Sequence, residues 1–393
     1  MSASELLQFY VTCPPGLEPV LASEYRQINL VRSKIKKDIQ SLEKQLPGEE
    51  TGGMEFEGPI EHVYLANLHL RTAGRVVVRL GNFIAIAFSE LRKKVSKLEW
   101  EKYILPGQKV VIRVVCHKSR LYHSDAVAER VLGGINDHFS VMGKHFIETS
   151  SSTEGQLILV RLVNDHCTIS VDSSGELLHK RGYRQAVAKA PLRENLAAAM
   201  ILASGWDKTS SLIDPFCGSG TIPIEAAMIA RNVPPGITRQ FQFMNWPNAD
   251  KTIWLSILDE ARKKINQDTP PLFGFDRDTG AIDMANANAA RAGQKGVIQF
   301  KCQAVSCLEP SPTPGWIITN PPYGVRISEN KDLRDLYARF GSILKGQFSG
   351  WKVNLLSSED RLIANLGLGS AEKTIQFSNG GLSVKLASYK INT

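Results

Sequence analysis

Long apolar runs are missing from this 393-residue sequence. Runs such as FIAIAF, from Phe83 to Phe88, are far short of the roughly 18 residues a membrane-spanning helix needs, so no span is expected. The start, MSASELLQFY, has no basic segment leading into an apolar one, so no secretory signal is expected. Cysteine is sparse. Cys13, Cys116, Cys167, Cys217, Cys302 and Cys307 are scattered with no CxxC pair, which argues against a disulfide framework and a structural zinc site. The histidines show no paired ligand spacing, and no metal is expected. Neither a Gly-Lys-Ser/Thr phosphate loop nor a GxGxxG fingerprint occurs. What remains is ordinary globular composition: 43% hydrophobic and 22% charged residues give no reason for disorder. At roughly 100–200 residues per domain, the length predicts two or three domains. A soluble, cytoplasmic protein with reduced thiols is expected, with a monomer assumed.

The first part of the chain mixes strands and helices. FYVT reads as a strand, Pro14-Pro15-Gly16 as a turn, and Leu17, Val20, Leu21 and Tyr25 share one helix face. Ile35, Ile39, Leu42 and Leu46 mark a second amphipathic helix, too short for a coiled coil. GMEFEGPI, RVVVRLGNFIAIAF, KVVIRVVC and LILVRLV are strand-like, and SDAVAERVLGGINDHF is helical, with Ser124 placed to cap it. Residues 170–190 are irregular and basic, a candidate boundary. After it the rhythm changes: SLLID, LFGFDRD and WIITN alternate with helical segments, the pattern of a parallel, doubly wound sheet. An amphipathic helix through Leu333, Leu336, Tyr337 and Phe340 follows. Asn379-Gly380 between two strand-like runs then signals an antiparallel hairpin, an unusual ending for a nicotinamide-binding fold.

Three constellations carry chemistry. DPFCGSGT, Asp214 to Thr221, lies between a strand and a helix; its glycines let a ligand approach the backbone, although a tight turn needs glycine too. Asp276 ends the strand of LFGFDRD, where a carboxylate can accept two ribose hydroxyls, while Asp278 suits a helix N-cap. The gap from the glycines to Asp276 is far longer than a dinucleotide fold allows. NPPYG follows the strand WIITN. Its prolines stiffen a loop at the carboxyl edge of the sheet, leaving the Asn320 amide oxygen and the Pro321 carbonyl as rigid acceptors. Two acceptors beside the Tyr323 ring suit a planar group bearing an exocyclic amine.

In this order the motifs resemble the class I S-adenosylmethionine-dependent methyltransferases that act on amino nitrogens. More closely, LHKRGYRQAVAKAPLRENLAAAMILASGW with LIDPFCGSGTIPIEAAMIA resembles the THUMP-domain RNA guanine-N2 methyltransferases of RlmL-like type. GLEPVLASE, GGMEFEGP, NLHLRTAGRVVVRL and KSRLYHSDAVAERV extend the resemblance to nearly the whole chain. The resemblance implies a Rossmann-like α/β methyltransferase domain over 171–393, with a mostly parallel seven-stranded sheet closed by an antiparallel hairpin. It also implies an α+β ferredoxin-like region over 1–65 and a THUMP RNA-binding domain over 66–170. Asp214, Phe216, Gly218, Gly220, Thr221, Asp276 and Arg193 would surround S-adenosyl-L-methionine. Asn320, Pro321, Pro322 and Tyr323 would hold the guanine. Two departures stand out: Ala304 occupies the place where many relatives carry an aspartate for the adenine amine, and the second methyltransferase module fused in some relatives is not expected here.

Net charge is +8 with a pI near 9.1, which suits a polyanionic partner. The two parts on either side of residue 170 carry 21 basic against 19 acidic and 26 against 20 side chains. Lys118 and Arg120 in one cluster, and Arg181 and Arg184 in another beside the cofactor motifs, are the candidate RNA contacts; the RNA is ribosomal or transfer RNA. Two other readings use the same residues: an RNA-binding protein whose methyltransferase domain is silent, to which Ala304 points, and methylation of adenine N6 or a glutamine amide, which NPPY alone does not separate.

Overall fold

The computed structural model describes residues 6–32, 52–143, 155–185, 192–323 and 330–392. The helix expected around Ile35–Leu46 and most of the polar run before LILVRLV lie outside these residues. The amino-terminal part begins with β1 (Leu7–Thr12), in which Leu7, Phe9 and Val11 are buried and Gln8, Tyr10 and Thr12 point to the other face, the period of two expected of a strand. After the Pro14-Pro15-Gly16 turn comes α1 (Glu18–Arg32), whose Glu18 carboxylate accepts from the Gly16 and Gly52 N–H groups at 2.7 Å each. β2 (Gly53–Gly58), α2 (Ile60–His69), β3 (Arg75–Ile84), α3 (Phe88–Val95), β4 (Val110–His117), α4 (Ser124–Val141), β5 (Gln156–Val163) and β6 (His166–Asp172) complete a six-stranded sheet. Its order is β2-β1-β3-β6-β5-β4, antiparallel except for β4 with β5. β3 pairs with both β1 and β6, so one continuous sheet joins the two amino-terminal regions, and residue 65 falls within α2. Ser124 does not cap α4: it is the first helical residue, His123 holds the N-cap, and no side-chain cap forms.

The second part runs α5 (Glu194–Ser204), β7 (Leu212–Asp214), α6 (Thr221–Ala230), α7 (Lys251–Lys263), β8 (Leu272–Asp276), α8 (Thr279–Arg291), β9 (Gln299–Cys302), β10 (Trp316–Thr319), α9 (Asn330–Gln347), β11 (Lys352–Ser357), α10 (Asp360–Asn365), β12 (Lys373–Asn379) and β13 (Leu382–Lys390). Seven strands are ordered β12-β13-β11-β10-β7-β8-β9. Pairing is parallel from β11 through β9 and antiparallel at β13 and β12, the expected parallel sheet closed by a hairpin. Leu212, Ile213, Ile317 and Ile318 are buried on both faces of the central strands, which explains their continuous apolar sequence. The hairpin turn lies one residue beyond the Asn-Gly signal. Asn379 pairs with Leu382, leaving Gly380 and Gly381 at φ +59° and +86°, the left-handed pair that a two-residue type I′ turn requires. From β7 the chain moves outward to β8 and β9, then returns to β10 on the other side. That reversal opens a crevice at the carboxyl ends of β7 and β10. Among the described residues no helix is long and apolar enough to cross a membrane.

Candidate active site

The crevice is a cavity of about 740 Å³. β7 delivers Asp214 to its floor. The carboxylate is buried, and Oδ1 accepts from Thr319 Oγ1 at 2.6 Å and from the Phe216 N–H at 3.2 Å. Burial pushes its pKa up to about 7, and the hydrogen bond from Thr319 pulls the other way. β8 delivers Asp276, whose two oxygens accept from the Gly218 N–H at 2.9 Å and the Asp278 N–H at 3.0 Å. A carboxylate has about four acceptor sites, so Asp276 keeps capacity toward the cavity it lines. Asp278 caps α8 by accepting from Gly280 N–H at 2.8 Å, as its sequence position suggested.

The two glycines of the loop serve different ends. Gly218 has φ +50°, and a Cβ there would meet no atom within 4 Å, so glycine keeps the cavity floor clear. Gly220 has φ +82°, and a Cβ would lie 2.9 Å from Ala285 Cβ and from the Phe300 ring. It is required by packing of α6 on its neighbours and does not line the cavity. Phe216 lines the cavity and meets Phe340 of α9 edge to face at 5.4 Å; Thr221 also lines it. Arg193 stands exposed at the N-cap of α5, outside the lining, which instead includes its neighbour Leu192.

Asn320 follows β10 directly and lines the cavity with Pro322. Its Oδ1 is buried and has no hydrogen-bond partner among the described residues. An acceptor left in that state costs roughly 1–3 kcal/mol, which a donor on a ligand would recover. Pro321 is buried behind it. Tyr323 does not line the cavity: half-buried, it packs against both apolar cores, with its Oη 3.5 Å from Asn379 Nδ2.

Several lining residues escaped the sequence reading. Asp335 and Arg339 of α9 reach the cavity alongside Leu333 and Leu336; their spacing of four on the face already marked by the leucines was the available signal. Gln303 lines the cavity next to Ala304, with Nε2 donating to the Cys307 carbonyl at 2.6 Å. Of the candidate RNA contacts, Lys118 and Arg120 are exposed at the end of β4, where the Arg120 N–H donates to Asp165 at 2.7 Å. Arg181 and Arg184 are not surface contacts. Arg181 is buried 3.5 Å from Glu225, and Arg184 is turned inward onto Thr221, Leu192 and Glu194. Paired carboxylates and carbonyls hold both guanidinia out of water.

The cavity fits a nucleoside-bearing cofactor: it lies within the range of about 300–1,000 Å³ usual for such sites, with a glycine-cleared floor at Gly218 and acceptors at Asp276 and Asn320. Residues 181–387 match the family described as RMKL-like, methyltransferase domain. Residues 8–77 match the RlmL ferredoxin-like domain, and residues 86–172 the THUMP domain. The chain is 32% identical over 397 residues to a ribosomal RNA large subunit methyltransferase K/L of Syntrophotalea carbinolica, covering 98% of this chain and 54% of that protein. It spans about half the length of the first such curated relatives. A putative RNA methyltransferase of Synechocystis is 31% identical, with 98% of this chain and 96% of the relative covered. The crystal structure of a putative methyltransferase, SMU.472, complexed with SAH superposes with a TM-score of 0.85 at 29% identity, covering all of both chains.

Proposed function

This chain belongs to the RMKL-like methyltransferase family, and from that premise we propose that it methylates the exocyclic N2 of a guanine in RNA, large-subunit ribosomal RNA in the first instance, using S-adenosyl-L-methionine. The observation that carries the reading is the buried Asn320 Oδ1, without a hydrogen-bond partner among the described residues, on a side chain that lines the cavity directly after β10. When bound, S-adenosylmethionine supplies an electrophilic methyl carbon on a sulfonium. Asp276 would accept from its ribose hydroxyls, Asp214 and the Gly218 backbone would surround its methionine part, and Gln303 would supply a side-chain amide where Ala304 has none.

Asn320 Oδ1 and the Pro321 carbonyl accept the two N–H bonds of the guanine amine, fixing the nitrogen while Pro322 stiffens the loop. The target base leaves its stack to reach them, with Tyr323 packed behind the pair. As the nitrogen takes the methyl group, the methyl's bond to sulfur would break and leave S-adenosylhomocysteine; the alkylated amine becomes acidic and releases its proton to water, so Asn320 Oδ1 and the Pro321 carbonyl need only orient it, and positioning with electrostatics carries most of the rate. Lys118 and Arg120 contact RNA phosphates. The division at 1–65, 66–170 and 171–393 and a cytoplasmic monomer acting without metal belong to the same proposal.

Asn320→Ala is expected to lower turnover by about a hundredfold or more while cofactor affinity is retained. Nucleoside mass spectrometry of ribosomal and transfer RNA incubated with each protein reads N2-methylguanosine directly. Near-normal methylation by the variant, or N6-methyladenosine as the product, would overturn the assignment.

A further inference from the structure

The glycine loop runs straight into α6, and one stripe of that helix is gripped along its length by side chains from outside the cavity. Thr221, Glu225 and Met228 fall at i, i+4 and i+7, a single helix face. At the first, Arg184 Nη2 donates to Thr221 Oγ1 at 3.0 Å and to the Leu192 carbonyl at 2.7 Å, while its Nε lies 3.6 Å from Glu194. At the second, Tyr183 Oη donates to Glu225 Oε1 at 3.1 Å, and Arg181 Nε is 3.5 Å from the same oxygen. At the third, Arg71 from the amino-terminal part donates to the carbonyls of Met228 at 3.4 Å and Val233 at 2.6 Å, at the end of a helix where carbonyls lack intrahelical partners. Arg181 closes the set by donating to the Arg71 carbonyl at 2.5 Å.

Arg184 is the member of this set that acts on the cavity wall. Thr221 opens α6 and Leu192 precedes α5, and both line the cavity. One guanidinium therefore ties two walls together, and its side chain is only 14% exposed, so water screens the contact little. We propose that Arg184 is a positioning residue for the cofactor: it fixes Thr221 against Leu192, and the shape of the glycine loop follows. Arg71, Arg181 and Tyr183 hold the rest of α6 behind it. The inference rests on the cavity being the S-adenosylmethionine site.

The test is calorimetry of S-adenosylhomocysteine binding to the full-length wild type, Arg184→Ala, Arg184→Lys, Thr221→Val and the Arg184→Ala/Thr221→Val double variant, with retention of large-subunit ribosomal RNA on filters as a second readout. Loss of a charged hydrogen bond predicts cofactor binding weaker by about tenfold or more in Arg184→Ala. Arg184→Lys, with one ammonium for the same acceptors, recovers part of it. The two single changes are expected to be non-additive in the double variant, because they break the same bond. RNA affinity stays within about twofold in every variant, as expected for a site apart from the phosphate contacts. Thr221→Val leaves Arg184 its other partners and so keeps the fold if Arg184→Ala does not. Wild-type binding with an unaffected Arg184→Ala, or strict additivity, sinks the inference alone. RNA affinity that falls while cofactor affinity holds returns Arg184 to a phosphate-contact role. A wild type that binds no S-adenosylhomocysteine removes the proposed function, and the inference with it.

Discussion

Asp214 sits under the glycine loop with its carboxyl lifted from 3.8 to about 7 by burial, and the consequence can be read in stability. Below about pH 4 the group is protonated in both the folded and the unfolded chain and contributes nothing to the pH dependence. Between about 4 and 7 the unfolded chain gives up the proton and the folded chain keeps it, so stability falls as pH rises, by at most about 1.4 kcal/mol per unit. Above 7 the penalty is constant. Asp214→Asn keeps an oxygen for Thr319 Oγ1 and cannot ionise, so its stability relative to wild type should climb from pH 4 to 7 and then level off. Urea unfolding at a series of pH values checks this; a difference that does not vary with pH would mean that the carboxyl is not buried neutral. The placement of Asp214, Asp276 and Asn320 at the cavity was legible because the first two end short apolar strands and the third directly follows one, and strand ends are where this architecture gathers ligands. Arg181 and Arg184 misled, because a cluster of basic residues looks the same whether its partners are phosphates or, as here, the buried carboxylates of Glu225 and Glu194.

At the level of elements, α9 holds part of the cavity and contains two glycines whose surroundings predict opposite outcomes. A Cβ on Gly341 would lie 1.8 Å from the Leu366 carbonyl oxygen, just past α10, and that backbone cannot yield without moving a helix. A Cβ on Gly346 would meet nothing within 4 Å. Gly341→Ala is therefore expected to destabilise by about 1–3 kcal/mol and to weaken cofactor binding by shifting Asp335 and Arg339, whereas Gly346→Ala should stabilise by about 0.5–1 kcal/mol through helix propensity. Paired urea titrations decide it, and equal effects at the two sites would show that the close approach of α9 to Leu366 is wrong. Element type was well marked in the sequence where the pattern was strong, as in β1, β4, α4 and the parallel strands β7, β8 and β10, whereas β9 went unread. What local pattern could not supply was partnership. β6 went unread, although it joins β3 to β5, and the continuity of the six-stranded sheet through β3 depends on pairings nearly a hundred residues apart. The hairpin turn slipped by one residue because Asn-Gly and Gly-Gly are both good type I′ pairs, and only the register of β12 on β13 chooses between them.

On the scale of the whole molecule, the seam between the six-stranded and seven-stranded parts is largely apolar and aromatic. Tyr64 of α2 stacks on Phe243 at 4.3 Å and meets Trp254 of α7 at 6.2 Å, with its hydroxyl accepting from the Asp250 N–H at 3.1 Å. Trp246 packs edge-on to Tyr103 at 4.9 Å and donates its indole N–H to Gln156 at 2.8 Å. Farther along, the Ser378 N–H donates to the Pro15 carbonyl at 3.0 Å, and Gly16 has no room for a Cβ against the Gln376 backbone. Independent motion is the default between domains joined by small polar interfaces, whereas this one combines buried aromatic packing with buried hydrogen bonds. The seam also passes through Arg71 to α6, so loosening it would disturb the helix that carries the glycine loop. Scanning calorimetry of the wild type should accordingly give one transition, with matching calorimetric and van't Hoff enthalpies. Trp246→Ala removes a buried aromatic and leaves Gln156 Oε1 without its donor, a loss of about 3–5 kcal/mol concentrated on the seam, and should broaden or split that transition while the cofactor still binds. Two resolved transitions already in the wild type would mean that the halves unfold separately, and that the grip on α6 from the amino-terminal part is too weak to shape the site.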